Sequence, residues 1–326
     1  MKRVLVIGGA GYVGSQLVPR LLKSNYKVTV LDTFWYGEKH FDKAENLKLV
    51  KADMRDQEAI RKTIKNHDAL IHLACISNDP SFDLNPELGK SVNLDSFLPI
   101  VDAAKESDIE HFIYASSSSV YGIKEEERVT EKLELQPLTD YSKYKAECEK
   151  ILLNEISDEF VTTIIRPATV CGLSTRQRFD LVVNILTANA IEKNVIKVFG
   201  GAQFRPNLHI EDMVDAYLSI LSADQKTVHR EIYNVGGKNL TVKEIAEAVQ
   251  RVVNPEIPIE YLETNDMRSY RVDSAKIFQQ IGFNPKRTID EAIFDIKNAF
   301  ANNLFKNVLE DPKYINILRM KELQLG

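Results

Sequence analysis

The sequence predicts an α/β protein with a doubly wound parallel sheet in its first half. Three observations favour this fold. Short apolar runs alternate with amphipathic segments, a glycine-rich turn follows the first apolar run, and an acidic residue ends the second. Parallel strands need long crossover connections, and helices in those connections cover both faces of the sheet. The chain of 326 residues is long enough for one large domain or two ordinary ones.

The elements of the first half alternate regularly along the chain. Apolar runs bounded by turn residues predict strands at residues 4–7, 28–31, 47–50, 69–73, 112–115 and 161–165. Helical periodicity predicts helices directly after the glycine turn and at residues 57–65, 86–106 and 139–155. Because a helix separates most successive strands, we expect the strands to run parallel.

The pattern is looser beyond about residue 175. Here the sequence predicts helices near residues 180–192, 211–222, 241–253, 273–281 and 288–301, and short strands near 195–199, 231–235 and 257–261. We therefore expect a first domain over residues 1–175 and a smaller α/β domain over residues 176–326. Some segments of the second part are expected to return to the first sheet.

The glycine-rich turn is the strongest local signal in the chain. It reads Gly8-Gly9-Ala10-Gly11-Tyr12-Val13-Gly14 and lies between the first predicted strand and an amphipathic helix. Glycine permits a tight turn and a close approach of ligand to backbone, and the start of the helix offers unpaired N–H groups to an anion. This order is typical of a Rossmann-type fold that binds the pyrophosphate of a dinucleotide.

Acidic residues follow the second and third predicted strands. A carboxylate at Asp32 would accept hydrogen bonds from the adenosine ribose and would repel a 2′-phosphate. No arginine occurs in residues 33–37, so the sequence favours NAD over NADP. Asp53 has two interpretations: it hydrogen-bonds the adenine, with Met54 packed beside it, or it caps the helix that follows.

Composition and charge exclude several classes of protein. The chain is 44% hydrophobic and 27% charged, with a net charge of −5, which does not suit a protein that wraps nucleic acid. No apolar stretch reaches the roughly 18 residues of a membrane span, and no secretory signal is recognisable. The three cysteines and six histidines have no metal-binding spacing. We therefore expect a cytoplasmic protein with buried, reduced thiols and no metal.

Tyr141 and Lys145 carry the first chemical signal. They lie four residues apart on the helix after the fifth strand, so they share one face. A tyrosine acts as a general base only when its pKa is lowered, and a nearby ammonium group lowers it. The alternative is a solvated helix face on which Lys145 pairs with Glu149. The two residues follow the strand whose end should face the nicotinamide. This position favours a catalytic role for the pair.

A run of four serines at the end of the fifth strand carries the second signal. Residues 116–119 are all serine and are followed by Val120-Tyr121-Gly122. A hydroxyl group here could bridge a substrate oxygen and Tyr141. The alternative is a serine turn without a chemical role.

These motifs together resemble the extended short-chain dehydrogenase/reductase superfamily, in particular its NAD-dependent nucleotide-sugar epimerases and dehydratases. The resemblance extends over nearly the whole chain. The matching positions are residues 8–14, Asp32, residues 52–56, residues 72–74, Asn93, the serine-rich segment, Tyr141, Lys145, and residues 205–212, 233–236 and 273–276. The conjunction is specific for this branch and less specific for the reaction.

The resemblance implies a role for each matching residue. Tyr141 would take a proton from a sugar hydroxyl with the help of Ser117, the hydride would pass from the same carbon to NAD, and Lys145 would bind the nicotinamide ribose. The implied cofactor-binding residues are Gly8, Gly11, Tyr12, Val13, Gly14, Asp32, Asp53, Met54, Leu73, Ala74, Asn93, Tyr141 and Lys145. The implied substrate-binding residues are Ser117, Ser118, Thr169, Arg205 and Arg268.

The substrate half of the resemblance leaves alternatives open. Arg205 and Arg268 suit a clamp on a diphosphate because guanidinium groups present a fork of donors, but each could instead form a surface ion pair. Thr169 and Asp180 stand where the family commonly has asparagine, and Leu173 replaces a common proline. The basic loop at residues 174–178 either adds phosphate contacts or is solvated.

The residues that follow Ser117 favour one reaction. The 4,6-dehydratases of the family carry an Asp-Glu pair where this chain has Ser118 and Ser119, and its sugar-acid decarboxylases carry a glutamate in place of Ser119. The pattern is most similar to the UDP-galactose 4-epimerase group, which implies transient oxidation at C4 of a nucleotide-linked hexose. The alternatives are a nucleotide-sugar dehydrogenase or ketoreductase, a 4,6-dehydratase, and a non-catalytic NAD sensor.

The resemblance also implies an oligomeric state. Family members commonly form homodimers through two long helices, which correspond here to residues 86–106 and 139–155. Two such helices from each subunit would form a four-helix bundle. The expected small-molecule partner is a nucleotide-diphosphate sugar, and neither nucleic acid nor membrane is expected.

Overall fold

A computed structural model describes residues 1–38, 40–107, 109–155, 157, 159–264 and 268–325 of the protein. Within these ranges the strands are β1 (Arg3–Ile7), β2 (Lys27–Asp32), β3 (Leu47–Lys51), β4 (Ala69–His72), β5 (His111–Ala115), β6 (Val161–Pro167), β7 (Thr169–Cys171), β8 (Ile196–Phe199), β9 (Phe204–His209), β10 (Glu231–Val235), β11 (Asn239–Thr241) and β12 (Ile259–Leu262).

The helices in the same part of the chain are α1 (Gly14–Lys23), α2 (Gln57–Ile64), α3 (Asp79–Leu84), α4 (Pro86–Lys90), α5 (Phe97–Glu106), α6 (Asp140–Asn154), α7 (Val182–Lys193), α8 (Ile210–Ser222), α9 (Gln225–Val228), α10 (Val242–Val253), α11 (Ala275–Ile281), α12 (Ile289–Ala301) and α13 (Asn316–Glu322). A π-helical turn spans Ser91–Asp95, and a 3-10 turn spans Ser118–Tyr121.

Seven parallel strands form the main sheet, in the order β10-β6-β5-β4-β1-β2-β3. The chain builds outward from β1 through β2 to β3 and then crosses to the other side of β1 to add β4, β5 and β6. The predicted doubly wound parallel sheet is therefore confirmed. The strand at the far edge, β10, comes from the latter part of the chain and pairs in parallel with β6.

The carboxyl ends of these strands meet along one edge of the sheet. Ile7 at the end of β1 pairs with Leu31 on one side and His72 on the other. The chain therefore leaves β1, β2 and β4 at the same level, where the glycine turn, Asp32 and residues 73–74 follow. In an open α/β sheet, ligands bind at this edge, where the strand order reverses.

Two small sheets lie beyond the main one. The first has the order β11-β9-β7, and the second pairs β12 with β8. The sequence analysis missed β7, β9 and β11. Two of these strands are only three residues long, and β9 contains Pro206, which has no N–H to donate to a ladder.

The predicted helix over residues 86–106 is present, but a π-helical turn divides it into α4 and α5. Asn85 caps α4, the π-helical turn interrupts the spiral after Lys90, and α5 begins at Phe97. The interruption has a local cause, since Asn93 within the π turn turns its side-chain amide inward. Its Oδ1 accepts from the N–H of Ile76 at 2.8 Å, and its Nδ2 donates to the Ile76 carbonyl at 2.9 Å.

The core has two layers, one on each face of the main sheet. Val4 and Val6 of β1 point into one layer, and Leu5 and Ile7 point into the other. This is the pattern of a strand that is buried on both faces. A third core packs α7, α10 and α12 around β8. No helix in the described ranges has both the length and the apolar character needed to cross a bilayer.

Candidate active site

A cavity of about 640 Å³ opens at the carboxyl edge of the main sheet. Most of the site residues that the sequence indicates line it: Gly8, Gly11, Tyr12, Val13, Gly14, Asp32, Asp53, Met54, Leu73, Ala74, Ser117, Ser118, Tyr141, Thr169, Arg205 and Arg268. Asn93 and Lys145 are not among the lining residues. The structure therefore brings nearly all the predicted residues to one site, although they span more than 260 positions of sequence.

The glycine turn leaves space that no other residue could leave. A Cβ atom at Gly8 would lie 2.4 Å from the backbone nitrogen of Ala74, and one at Gly14 would lie 2.4 Å from the carbonyl oxygen of Gly9. Gly8 also has a φ of +83°, which favours glycine. Helix α1 has no side-chain cap and no acidic residue in its first turn. No side chain of the first turn therefore competes with or repels a pyrophosphate at this end of the helix.

Asp32 is shaped to accept further hydrogen bonds. Its Oδ2 accepts from the N–H of Ala10 at 2.9 Å, and its Oδ1 accepts from the N–H of Phe34 at 2.8 Å. Each carboxylate oxygen can accept more than one bond, so a ribose diol fits this position. Burial raises the pKa of Asp32 above its ordinary value, and the two backbone donors oppose that rise.

The structure decides between the two interpretations of Asp53. The N-cap of α2 is Asp56, whose side chain accepts from the N–H of Ala59, so Asp53 does not cap this helix. The Asp53 carboxylate instead holds Arg55, with 2.7 Å between Oδ2 and Nη2. Asp53 and Met54 both line the cavity, next to residues from the end of β2. The capping alternative is therefore excluded.

Tyr141 is half-buried at the start of α6. Tyr141 and Ser117 both line the cavity, as the bridging role requires. Burial raises the pKa of Tyr141 well above its ordinary value, with smaller contributions from Cys75 and Asp79. The neighbouring Ser117 side chain and the positive charge of Arg178 both lower that pKa.

Lys145 is placed differently from the sequence-based expectation. Its Nζ donates to the carbonyl of Ala115 at 2.6 Å and lies 6.0 Å from the centre of the Tyr141 ring. Lys145 is therefore not a main cause of the Tyr141 pKa shift, because its ammonium group is directed at the backbone of β5. The alternative of a solvated helix face is also wrong, since Lys145 and Glu149 are only 3% and 2% exposed.

A buried ion pair lies behind the serine run. Arg166 on β6 donates to Glu149 on α6, with 2.6 Å between Nη2 and Oε2, and both side chains are shielded from solvent. Glu149 also accepts a short hydrogen bond from the Ser116 hydroxyl, and Arg166 donates to the Tyr121 hydroxyl at 2.9 Å. The sequence analysis missed this pair, although Glu149 lies four residues after Lys145 on the same helix face.

The serine run is both a turn and part of the cavity wall. Ser117 accepts from the N–H of Ser119 at 3.1 Å and from the Ser119 hydroxyl at 2.9 Å. Ser142 on α6 donates to Ser119 at 2.9 Å, and the Ser118 hydroxyl lies 3.3 Å from that of Tyr270. These bonds fix the turn against α6, the helix that carries Tyr141.

The two candidate phosphate-binding arginines lie on another wall of the cavity. One Nη of Arg205 donates to the carbonyls of Phe204 and Arg268. Arg268 pairs with Asp79 at the start of α3, with 2.5 Å between Nη1 and Oδ2. The Asp79 contact was not predicted. The neighbouring residues 266 and 267, which contribute to the resemblance, lie outside the described residues.

The basic loop between β7 and α7 is buried, so the alternative of a solvated loop is wrong. Arg176 and Arg178 are 3% and 8% exposed, and both line the cavity. Arg178 pairs with Asp180, with 2.7 Å between Nε and Oδ1. Cys75 is also a lining residue and is only half-buried, which corrects the expectation that all three thiols are buried.

Comparisons with known proteins agree with this geometry. A model of the NAD dependent epimerase/dehydratase family matches residues 4–236, which is more than half of the chain. The chain is 27% identical to a UDP-glucose 4-epimerase of Lactobacillus helveticus, over 89% of this chain and 94% of that protein. It is 28% identical to UDP-arabinose 4-epimerase 1 of Arabidopsis thaliana, over 87% of this chain and 76% of the relative.

A solved structure has the same fold. UDP-glucuronic acid 4-epimerase from Bacillus cereus, in complex with UDP-glucuronic acid and NAD, superposes with a TM-score of 0.84 at 23% identity. The superposition covers 93% of this chain and all of that one. The match to the family model, together with the glycine turn, Asp32 and the Ser117–Tyr141 pair at one cavity, leads to one conclusion. The chain belongs to the NAD dependent epimerase/dehydratase family.

Proposed function

We propose that this protein is an NAD-dependent nucleotide-sugar 4-epimerase. The observation that carries the proposal is that Ser117 and Tyr141 line the same cavity as the dinucleotide cradle, where Ser117 lowers the pKa of Tyr141. The two residues after Ser117 are serines that are tied into a turn, so they offer no acid for the elimination of water. Relatives in two kingdoms carry 4-epimerase names, which supports the same reaction.

The chain's own residues would move the proton in this reaction. Tyr141, as phenolate, takes the proton of the C4 hydroxyl, and the Ser117 hydroxyl hydrogen-bonds the same oxygen as it becomes a carbonyl. A bound NAD would supply the reversible hydride transfer at C4, with the return to the opposite face of the sugar ring. Tyr141 then gives its proton back to the new hydroxyl, so the reaction ends with no net oxidation.

The phenolate must be stabilised in a site where burial opposes charge. Arg178 supplies a positive charge that lowers the pKa of Tyr141, and the neighbouring Ser117 side chain lowers it as well. Lys145 would bind the nicotinamide ribose, while its Nζ also donates a hydrogen bond to the Ala115 carbonyl. Because the Asn93 amide is hydrogen-bonded to both the N–H and the carbonyl of Ile76, it would position the segment after β4.

The remaining walls would bind the two ligands. The glycine turn, Tyr12 and Val13 would hold the pyrophosphate of NAD, while Asp32, Asp53, Met54, Leu73 and Ala74 would surround its adenosine. Arg205 and Arg268 would bind the diphosphate of the nucleotide sugar as charge-assisted donors. Ser118 and Thr169 would contact the sugar, because both line the cavity beside Tyr141.

The test is proton NMR of the purified protein with UDP-, GDP-, CDP- and dTDP-linked sugars, without added cofactor. We expect one of these sugars to convert to its C4 epimer, with no accumulation of a keto sugar or NADH. The Tyr141→Phe variant is the control for a contaminating activity. If turnover requires added NAD or NADH, the protein is a net dehydrogenase or ketoreductase instead.

We also propose that the protein is a homodimer built on α5 and α6. These helices pack side by side, Lys105 bonds Glu155 at 2.7 Å, and Leu98 of α5 leaves 40% of its surface exposed. Light scattering after size-exclusion chromatography is expected to give twice the chain mass. Leu98→Glu should give monomers, whereas Leu304→Glu, at a residue 63% exposed elsewhere, should not.

Two further expectations belong to the same proposal. We place the boundary between the cofactor-binding part and the mainly substrate-binding part near residue 175, where the chain enters the buried basic loop. We also propose a cytoplasmic location. The three free cysteines support it, because unpaired thiols are typical of a reducing compartment.

A further inference from the structure

Arg176 is a buried cation that the proposed mechanism does not use. It lies in the loop between β7 and α7, it is 3% exposed, and it lines the cavity. Its Nε and Nη1 are buried and have no hydrogen-bond partner. No carboxylate in the described ranges lies within ion-pair distance of it. Buried donors of a charged group that have no hydrogen-bond partner are costly, so this guanidinium group is suited to an anionic ligand.

The loop that carries Arg176 is tied to the first turn of α1. The N–H of Arg176 donates to the Ser15 hydroxyl at 3.2 Å, and the Thr175 hydroxyl donates to the Ser15 carbonyl at 3.3 Å. Ser174 donates to the carbonyl of Tyr12 at 2.8 Å. The backbone of Arg176 is therefore fixed at the helix end that follows the glycine turn.

The guanidinium group of Arg176 is held in one orientation. It stacks on the Tyr36 ring, with 3.5 Å between Cζ and the ring centre, and its Nη2 donates to Oδ1 of Asn316 at 2.5 Å. Asn316 also accepts from the Tyr36 hydroxyl at 2.9 Å and donates to the Ser77 hydroxyl at 3.0 Å. Helix α13 thus positions Arg176 through its first residue, which gives the C-terminal segment a role that the sequence did not reveal.

We propose that Arg176 binds the pyrophosphate of the dinucleotide, beside the glycine turn to which its loop is hydrogen-bonded. The diphosphate of the dinucleotide and that of the nucleotide sugar could both enter this cavity, and the position of Arg176 favours the first. Its partner Tyr36 follows Asp32, on the adenosine side, whereas Arg205 and Arg268 lie on the substrate side near Asp79. The inference rests on the cofactor part of the proposed function and is independent of the sugar and of the reaction.

Arg176 could in principle bind a 2′-phosphate instead, because Tyr36 is close to the ribose-binding carboxylate. Both oxygens of Asp32 face the ribose position, where a second anion would be repelled. The pyrophosphate is therefore the favoured ligand. Adenosine, ADP and adenosine 2′,5′-bisphosphate separate the two possibilities, because they differ only in their phosphates.

The test is the affinity of nucleotide-free protein for these three ligands, measured by calorimetry or ligand-observed NMR. In Arg176→Gln, the affinity for ADP and for NAD should fall about ten- to a hundredfold, the range of a lost charged hydrogen bond. The affinity for adenosine should be unchanged. Arg176→Lys keeps the charge and should retain part of the ADP affinity.

Arg20→Gln is the matched control for the loss of one positive charge near α1. Arg20 pairs with Glu211 and Asp215 and is not a lining residue, so ADP affinity should be unchanged. Equal losses for ADP and adenosine in Arg176→Gln, or a loss only for the 2′,5′-bisphosphate, would overturn the proposal. A misfolded variant is recognised by its circular dichroism spectrum alone, and Arg176→Lys then carries the test. Because no sugar is present, failure of the epimerase proposal leaves this test intact.

Discussion

At the scale of single residues, Tyr141 is held between two opposing influences. Burial raises the pKa of Tyr141, while Ser117 and Arg178 lower it. Burial therefore favours the neutral hydroxyl, and the neighbouring hydroxyl and positive charge favour the phenolate. The sequence pattern predicts that Lys145 supplies this positive charge. In the structure its ammonium group is committed to the Ala115 carbonyl, and Arg178 takes that electrostatic role.

Replacing Tyr141 by phenylalanine removes the proposed base without changing the shape of the ring. We expect turnover of the nucleotide sugar to fall by about a hundred- to ten-thousandfold, the usual contribution of a positioned acid or base. NAD should remain bound, because the glycine turn and Asp32 are untouched. The measurement is NMR turnover together with the nucleotide content of the purified variant, and near-normal turnover would contradict the assignment.

Arg178→Gln tests the electrostatic role at the same site. Because the positive charge lowers the pKa of Tyr141, its loss should raise that pKa and move the rising limb of the pH–rate profile to higher pH. Turnover at neutral pH should fall on the order of tenfold. Arg178→Lys retains the charge and should keep the limb nearer its original position. An unchanged profile in the glutamine variant would exclude the role.

At the scale of elements, α6 and β6 are joined by the buried pair of Glu149 and Arg166. Glu149 accepts a hydrogen bond from Ser116, and Arg166 donates one to Tyr121. Ser116 and Tyr121 lie near the two ends of the serine-rich segment. Tyr121 in turn donates to Asn234 of β10 at 2.8 Å. One network of charges and hydrogen bonds therefore holds the turn that presents Ser117 to the helix that carries Tyr141.

Glu149→Gln would leave the Arg166 charge without a counterion in the core. Breaking one partner of a buried pair costs about 3–5 kcal/mol, so we expect the free energy of unfolding to fall by that order. Urea denaturation of the cofactor-free protein measures it. Glu147→Gln, on the exposed face of the same helix and paired with Lys150, should cost less than about 0.5 kcal/mol. Equal decreases in the free energy of unfolding of the two variants would show that the buried pair stabilises the fold no more than the exposed pair does.

At the scale of the whole molecule, two buried histidines couple stability to pH. Burial lowers the pKa of His72 to about 3, and it lowers the pKa of His111 to about 3 as well. His72 lies among Phe97, Phe112 and Tyr114, where neither ring nitrogen has a hydrogen-bond partner. The native state thus keeps both imidazoles neutral, whereas the unfolded chain protonates them near pH 6.5.

The sign of the pH dependence follows from these two values. Above pH 6.5 neither state binds the proton, so the contribution to stability is complete. As the pH falls from 6.5 towards 3, only the unfolded chain gains protons, and the free energy of unfolding drops by up to about 1.4 kcal/mol per pH unit for each histidine. Urea denaturation between pH 8 and 5 measures this slope. His72→Phe should reduce it, and an unchanged slope would contradict the account.

The same scale shows how much of the fold local sequence could predict. Apolar periodicity is a local property, so the strands of the main sheet and most helices were predicted within a few residues. The exceptions have identifiable causes: β7 and β11 are too short to show a period, and the π turn at Asn93 accompanies a contact with Ile76, 17 residues earlier in the chain.

The sequence by itself determined the glycine turn, Asp32 and the pairing of Tyr141 with the serine run. Each depends on residue type and on spacing along a strand or helix, which the chain displays directly. Tertiary structure decided which cations reach the cavity. Arg176 depends on Ser15 and Asn316, which lie 161 and 140 positions away, and Lys145 depends on the backbone of β5. Contacts of that range arise from the packing of whole elements, because no local pattern encodes where a buried side chain will find its partner.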